Sequence, residues 1–182
     1  MSDISQKNVE YVQRLRENLD ILAEKVVKLL ALSGLHIATA ESCTGGLLSE
    51  LITSVSGASG VFETGICTYS DRIKNQVLGV PDSVLEKYGA VSSQTAMEMA
   101  KGMKRFSGAD LCVSVTGIAG PTGAVPGKPV GTVYIAFSFR DKEFSKLLEL
   151  GKEGETDRNI IRLRTAVCVF ETVEQLLMEE VQ

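Results

Sequence analysis

The 182-residue chain has 44% hydrophobic and 23% charged residues and a formal net charge of −4, an ordinary balance for a folded domain with its own core. It has no Lys/Arg-rich run to grip nucleic-acid phosphates, no apolar stretch near the roughly 20 residues that span a bilayer, and a polar start without a signal-peptide core; a cytoplasmic location is expected. A single histidine, His36, and four scattered cysteines without a C-x-x-C pair argue against a multi-histidine or zinc-ribbon site, so neither metal nor cofactor is expected.

Residues 1–10 read as a loose lead-in to one domain over 11–182. From Tyr11 to Ser33, Val12, Leu15, Leu19, Leu22, Val26, Leu29 and Leu30 recur at steps of three and four. That period is an amphipathic helix, ending at Ser33-Gly34. Its apolar face packs on its own domain or serves a homodimer. Residues 35–40 read as a short buried strand, and 45–54 as a helix with Leu47, Leu48, Leu51 and Ile52 turned inward. A strand at 65–69 precedes two short helices, 71–78 and 81–88. Ser92, behind an apolar Val91, caps a helix running to about Phe106. Leu111, Val113 and Val115 alternate as a strand, and 117–129 is a Gly/Pro-rich loop. Strands at 133–140 and 143–150 turn at Asp141-Lys142, and a final helix covers 157–180.

Strands alternating with helices predict the α/β class, a sheet covered on both faces, and the late hairpin makes that sheet mixed. Active sites in such folds gather at the carboxyl ends of strands. Two strands here run into glycine-rich loops, 42–46 and 116–123.

In the first loop, Ser42 lies between a strand and a helix start. Free N–H groups of Thr44, Gly45 and Gly46, with the helix dipole, suit an oxyanion. Ser42 is therefore a candidate nucleophile, although a plain helix N-cap explains Ser42 or Thr44 equally well. There is no G-x-S-x-G elbow. Cys43 is the competing nucleophile, pointing to the other side of the pleat. Cys67, Cys112 and Cys168 read as buried small hydrophobes. His36, early in its strand, reads as an ordinary core or surface histidine. Tyr69, ending the second strand, and Lys74, in the next helix, supply another base. Taken alone, Lys74 reads as a solvated helix lysine; burial would have to lower its pKa for it to accept a proton.

The second loop, with Thr116, Gly117 and Gly120, has the small residues and free N–H groups that suit a ribose or phosphate. It lacks the G-K-[ST] ending of a P-loop. Lys128 adds positive charge to the same pocket. Arg158, Arg162 and Arg164, at the start of the last helix, read as solvated.

Together, Thr39-Ala40-Glu41-Ser42-Cys43-Thr44-Gly45-Gly46, Thr68-Tyr69-Ser70, Lys74, Gly89-Ala90-Val91-Ser92, Thr116-Gly117-Ile118-Ala119-Gly120-Pro121 and Lys128-Pro129-Val130-Gly131-Thr132-Val133 resemble the CinA C-terminal domain family, over roughly residues 20–180. The resemblance implies a three-layer α/β/α sandwich with a mixed, about five-stranded sheet. It implies a Ser/Lys amidohydrolase that converts nicotinamide mononucleotide to nicotinate mononucleotide and ammonia. Ser42 matches the family's nucleophile, and Lys74 and Tyr69 its base and tyrosine. Thr44, Gly45, Gly46, Thr116, Gly117 and Gly120 carry over as substrate or oxyanion contacts. The implied partner is a small-molecule nucleotide, with no nucleic acid, no membrane and a possible homodimer. The alternative is a non-catalytic nucleotide-binding accessory module linked to competence or DNA damage. Residues 151–158 are longer than the family's Gly-Asp-Arg, and the resemblance leads to the expectation that the molybdopterin-binding-like domain of full-length members is absent here, with a longer helical N-terminus instead.

Overall fold

The apolar run after Gly34 becomes β1 (Ile37–Glu41), buried at every residue. Burial on both faces is what a central parallel strand requires. The computed structural model describes residues 3–152 and 154–181. Around β1 lie β2 (Phe62–Cys67), β3 (Leu111–Gly117), β4 (Thr132–Phe139) and β5 (Lys142–Glu149), in the order β2-β1-β3-β4-β5. β1 runs parallel to β2 and β3, while β4 and β5 add antiparallel strands on the far side. The sheet is mixed, as the hairpin predicts.

The helices are α1 (Asp3–Ser33), α2 (Leu47–Thr53), α3 (Asp71–Leu78), α4 (Asp82–Tyr88), α5 (Ser93–Ser107) and α6 (Arg158–Val181), with a 3₁₀ turn at Ala58–Gly60. α1, α2 and α6 cover one face, where Leu48, Phe137 and Phe170 are fully buried in the larger core. Each such side chain contributes about 1.5–3 kcal/mol. α3, α4 and α5 cover the other face, over a smaller core of Ala38, Ala40, Leu78, Met99 and Met103. This is a three-layer α/β/α sandwich. None of its helices is long and apolar enough to cross a membrane, among the described residues.

Several element ends and one burial differ from the sequence reading. Residues 3–10, expected to be a loose lead-in, belong to α1; the apolar stripe locates only the packed turns, and no Gly or Pro stops the helix from continuing outward. Residues 1 and 2 lie outside the described residues. β2 ends at Cys67, so Tyr69 stands beyond the strand it was expected to close. The hairpin turns at Arg140-Asp141, one residue earlier than expected. Arg140 has a φ of 52°, the left-handed conformation that a two-residue connection demands. Cys67, finally, is exposed rather than buried, because β2 is an edge strand.

Candidate active site

The site is built at the carboxyl ends of β1, β2 and β3. Ser42 follows β1 directly and holds its place in the sheet by donating its N–H to the Val115 carbonyl at 3.0 Å. Lys74 comes from the first turns of α3. The Ser70 hydroxyl caps that helix, accepting from the Ile73 N–H at 3.4 Å, and so aims the helix start at β1. Lys74 is 1% exposed, and its Nζ donates to Ser42 Oγ at 3.4 Å.

Burial pushes the Lys74 pKa below the ordinary lysine value. The Asp71 carboxylate, 3.6 Å away and more than half exposed, pulls the other way. The Cys43 thiol also pulls it upward, by less. Desolvation is the largest cause, and it favours the neutral amine that can accept a proton. Cys43 itself faces the core; burial pushes its thiol up to about 12, which withholds the thiolate that nucleophilic attack needs.

The turn after Ser42 is organised by Glu41, a residue the sequence reading passed over. Its side chain is fully buried. The carboxylate accepts from the N–H groups of Gly46, Leu48 and Ser49 at 3.0, 3.1 and 3.0 Å, and from Ser49 Oγ at 2.9 Å. Gly46, at a φ of 92°, makes the sharp entry into α2. The positive end of α2 is therefore already neutralised from inside the fold. This corrects the expected oxyanion donors: the Gly46 N–H belongs to Glu41, and the Gly45 N–H donates to the Ser42 carbonyl at 3.1 Å. The Thr44 N–H has no acceptor among the described residues, while the Cys43 N–H is turned to its own thiol. Thr44 is fully buried, and its hydroxyl also has no partner among the described residues.

Two arginines of α6 close the other side. Arg162 donates twice to the Thr44 carbonyl, and Arg158 donates to the Gly120 carbonyl at 2.9 Å and to the Tyr69 hydroxyl at 2.8 Å. They were expected to be solvated. A sequence signal existed: basic residues in the first turns of a helix work against its dipole and call for another reason to be there. Tyr69 is largely exposed and hydrogen-bonds neither Ser42 nor Lys74 among the described residues. Beside the dyad opens a cleft of about 1020 Å³, walled by Arg158, Arg162, Arg164, Pro121, Thr156 and, from α1, Tyr11. The dyad is not part of that wall; Arg162 connects the two.

The second loop contributes less directly. Thr116 is buried and donates its hydroxyl to the Ala90 carbonyl at 2.8 Å. At Gly117 a Cβ would lie 2.8 Å from the Thr132 carbonyl oxygen, so this glycine lets β3 and β4 pass closely. Lys128 stands apart, donating to the Tyr88 carbonyl at 3.0 Å, where it caps the end of α4. His36 lies at the opposite end of β1, between Glu63 and Asp110 at 3.8 and 3.7 Å.

Known proteins carry this same scaffold. The CinA C-terminal domain model matches residues 19–177. A CinA-like protein of Kosmotoga olearia is 46% identical over 96% of this chain, which spans 41% of that relative's length. The crystal structure of the competence/damage inducible protein CihA from Agrobacterium tumefaciens superposes with a TM-score of 0.83 at 38% identity, covering 87% of this chain and 95% of that one. The competence damage-inducible protein A of Klebsiella pneumoniae does so with a TM-score of 0.82 at 30% identity, covering 86% and 95%. The chain belongs to the CinA C-terminal domain family.

Proposed function

We propose that this chain is a serine amidohydrolase that deamidates nicotinamide mononucleotide, with Ser42 as nucleophile and Lys74 as its general base. The observation that carries the reading is the approach of Lys74 Nζ to Ser42 Oγ, 3.4 Å, at a lysine with 1% exposure. Desolvation lowers the pKa of a lysine so placed and so favours the neutral amine that accepts a proton, and contacts of this length in an unliganded site tighten when substrate binds.

Neutral Lys74 takes the Ser42 proton as Oγ bonds to the carboxamide carbon. The negative oxygen that develops is met by the unused N–H of Thr44, supported by the unpartnered Thr44 hydroxyl. The C–N bond then breaks, Lys74 returns its proton to the leaving nitrogen, and ammonia departs. Water, deprotonated by the same lysine, hydrolyses the acyl-enzyme. Arg158, Arg162 and Arg164, set against Glu155 and Asp157, leave the adjoining cleft with an excess of positive charge suited to a nucleotide phosphate.

The test is ammonia release from nicotinamide mononucleotide by the wild type, Ser42→Ala and Lys74→Ala. Turnover in the wild type and a loss on the order of a thousandfold in each variant are expected. Full activity in Ser42→Ala would overturn the mechanism. Tight binding without ammonia release from any of the three would assign the pocket to a nucleotide-binding module instead.

A further inference from the structure

Three hydroxyl side chains stand in one row across the carboxyl ends of the parallel strands. Glu41 pairs with Cys67 on β2 and with Val115 on β3. Both ladders continue one residue further: the Thr68 N–H donates to the Glu41 carbonyl at 2.8 Å, and the Ser42 N–H to the Val115 carbonyl at 3.0 Å. Thr68, Ser42 and Thr116 are therefore neighbours in register. The pleat places all three on the same side of the sheet, on strands ~4.8 Å apart. On that side Ala38, Ala40 and Cys112 pack under α3 and α5, and the Ser114 hydroxyl reaches the Ala96 carbonyl. It is also the side from which Lys74 reaches Ser42.

Two of the three hydroxyls have partners: Thr116 donates to Ala90, and Ser42 accepts from Lys74. The third does not. Thr68 is 0% exposed, and its Oγ1 has no partner among the described residues. Native folds rarely leave a buried hydroxyl this way, since valine would fill the same volume without the desolvation cost. On the other side of the account, a protonated lysine has three N–H donors. The Lys74 ammonium directs one at Ser42 Oγ, 3.4 Å away, and one at Asp71 Oδ1, 3.6 Å away. The third has no acceptor among the described residues.

We propose that Thr68 is a positioning residue for Lys74: its Oγ1 accepts the third N–H of the ammonium that forms when Ser42 gives up its proton. This deepens, and rests on, the reading of Ser42 and Lys74 as nucleophile and base. In the step, the Ser42 O–H bond breaks and an N–H bond forms at Lys74 Nζ; Thr68 offers a lone pair and neither gains nor loses a proton. The contact is made by the charged lysine and strengthens as charge develops, so it serves the transition state more than the resting enzyme. The titratable groups that bear on Lys74 are Asp71 on its own helix and the Cys43 thiol from the turn after β1. Thr68 adds no titration of its own, so a change made there is read cleanly at Lys74.

The experiment uses Thr68→Val, Thr68→Ser and, as a smaller truncation, Thr68→Ala in the full chain. Three quantities are measured: the thermal midpoint, the Lys74 Nζ titration by NMR on ¹⁵N-lysine protein, with the signal assigned by its loss in Lys74→Met, and ammonia release. Thr68→Val is expected to melt at or above the wild-type temperature, because the lost oxygen bonds nothing in the resting fold. Its Lys74 pKa should fall by about one unit, and its kcat about tenfold at little-changed KM, the effect of losing one hydrogen bond to a charged group. Thr68→Ser should restore both. Should Thr68→Val melt early, Thr68→Ala removes the same oxygen and is read the same way. An unchanged Lys74 titration in the variants lacking the oxygen, or failure of Thr68→Ser to restore it, would overturn the proposal. A wild type that releases no ammonia from the mononucleotide would count against the proposed substrate alone, and the Lys74 titration would still decide for or against Thr68.

Discussion

Arg162 grips the carbonyl of Thr44 with two hydrogen bonds, from Nε at 3.1 Å and from Nη2 at 2.6 Å, across 118 residues of sequence. The planar guanidinium ties the first turns of α6 to the backbone just past Ser42. Lysine keeps the charge but not the two-pronged geometry. Arg162→Lys should therefore lower kcat about tenfold or more, while the melting temperature falls by only a few degrees. Steady-state kinetics beside a thermal melt distinguishes this from simple unfolding. Unaltered kinetics would show that the turn holds its shape without the clamp.

Glu41 makes a different kind of demand. Its buried carboxylate accepts from three amides and the Ser49 hydroxyl. Glu41→Gln keeps the shape but removes the charge and turns an NH₂ group towards N–H donors. The expected cost is about 2–3 kcal/mol, read from urea midpoints. Activity should fall with it, since Ser42 is the next residue. A loss below about 0.5 kcal/mol would mean that the start of α2 is satisfied by other means.

Lys74 makes stability depend on pH with a definite sign. Burial lowers its folded-state pKa below the ordinary lysine value of 10.5. Between the lowered value and 10.5, the unfolded chain binds more protons than the folded one, so stability from this group rises with pH through that window. Below the window the lysine is charged in both states, and the full burial penalty is present. Lys74→Met should accordingly be inactive yet more stable below that window, by about 1 kcal/mol. That advantage should shrink as pH rises through the window. Denaturant melts at several pH values give the result; a constant difference would mean that the folded-state pKa is not lowered.

Tyr69 was expected to orient or relay a proton at the dyad. Its hydroxyl instead accepts from Arg158 at 2.8 Å, on a side chain that is 63% exposed. Tyr69→Phe should raise KM several-fold and leave kcat within about twofold. A hundredfold loss of kcat at constant KM would return Tyr69 to the proton path.

The order of the elements, the mixed sheet and the placing of Ser42 at a strand end were legible from period and punctuation alone. Those signals are local: Ser42 sits between an apolar run and two glycines, and Lys74 lies a turn past a serine cap. What escaped was long-range. Glu41 caps α2 from the end of a strand, not from the three-residue spacing of a capping box, so no short pattern announces it. Arg158 and Arg162 meet Tyr69 and Thr44 only after the chain has folded back on itself. Tyr69 was misplaced because an apolar run does not show where pairing stops, and β2 stops at Cys67. Lys128, read as pocket charge, spends its ammonium on a helix end instead.

α1 has a consequence for how this fold can vary. The family match begins at residue 19, yet Asn8 and Tyr11, from the helix turns before it, stand in the wall of the cleft beside Arg158 and Arg162. Ser42 and Lys74 are set by the ends of the sheet and by α3, in other stretches of the chain. On the proposed function, selectivity for what enters and competence to cleave it would be written on separate stretches of chain, and changes at Asn8 or Tyr11 would redraw the rim and leave the dyad in place.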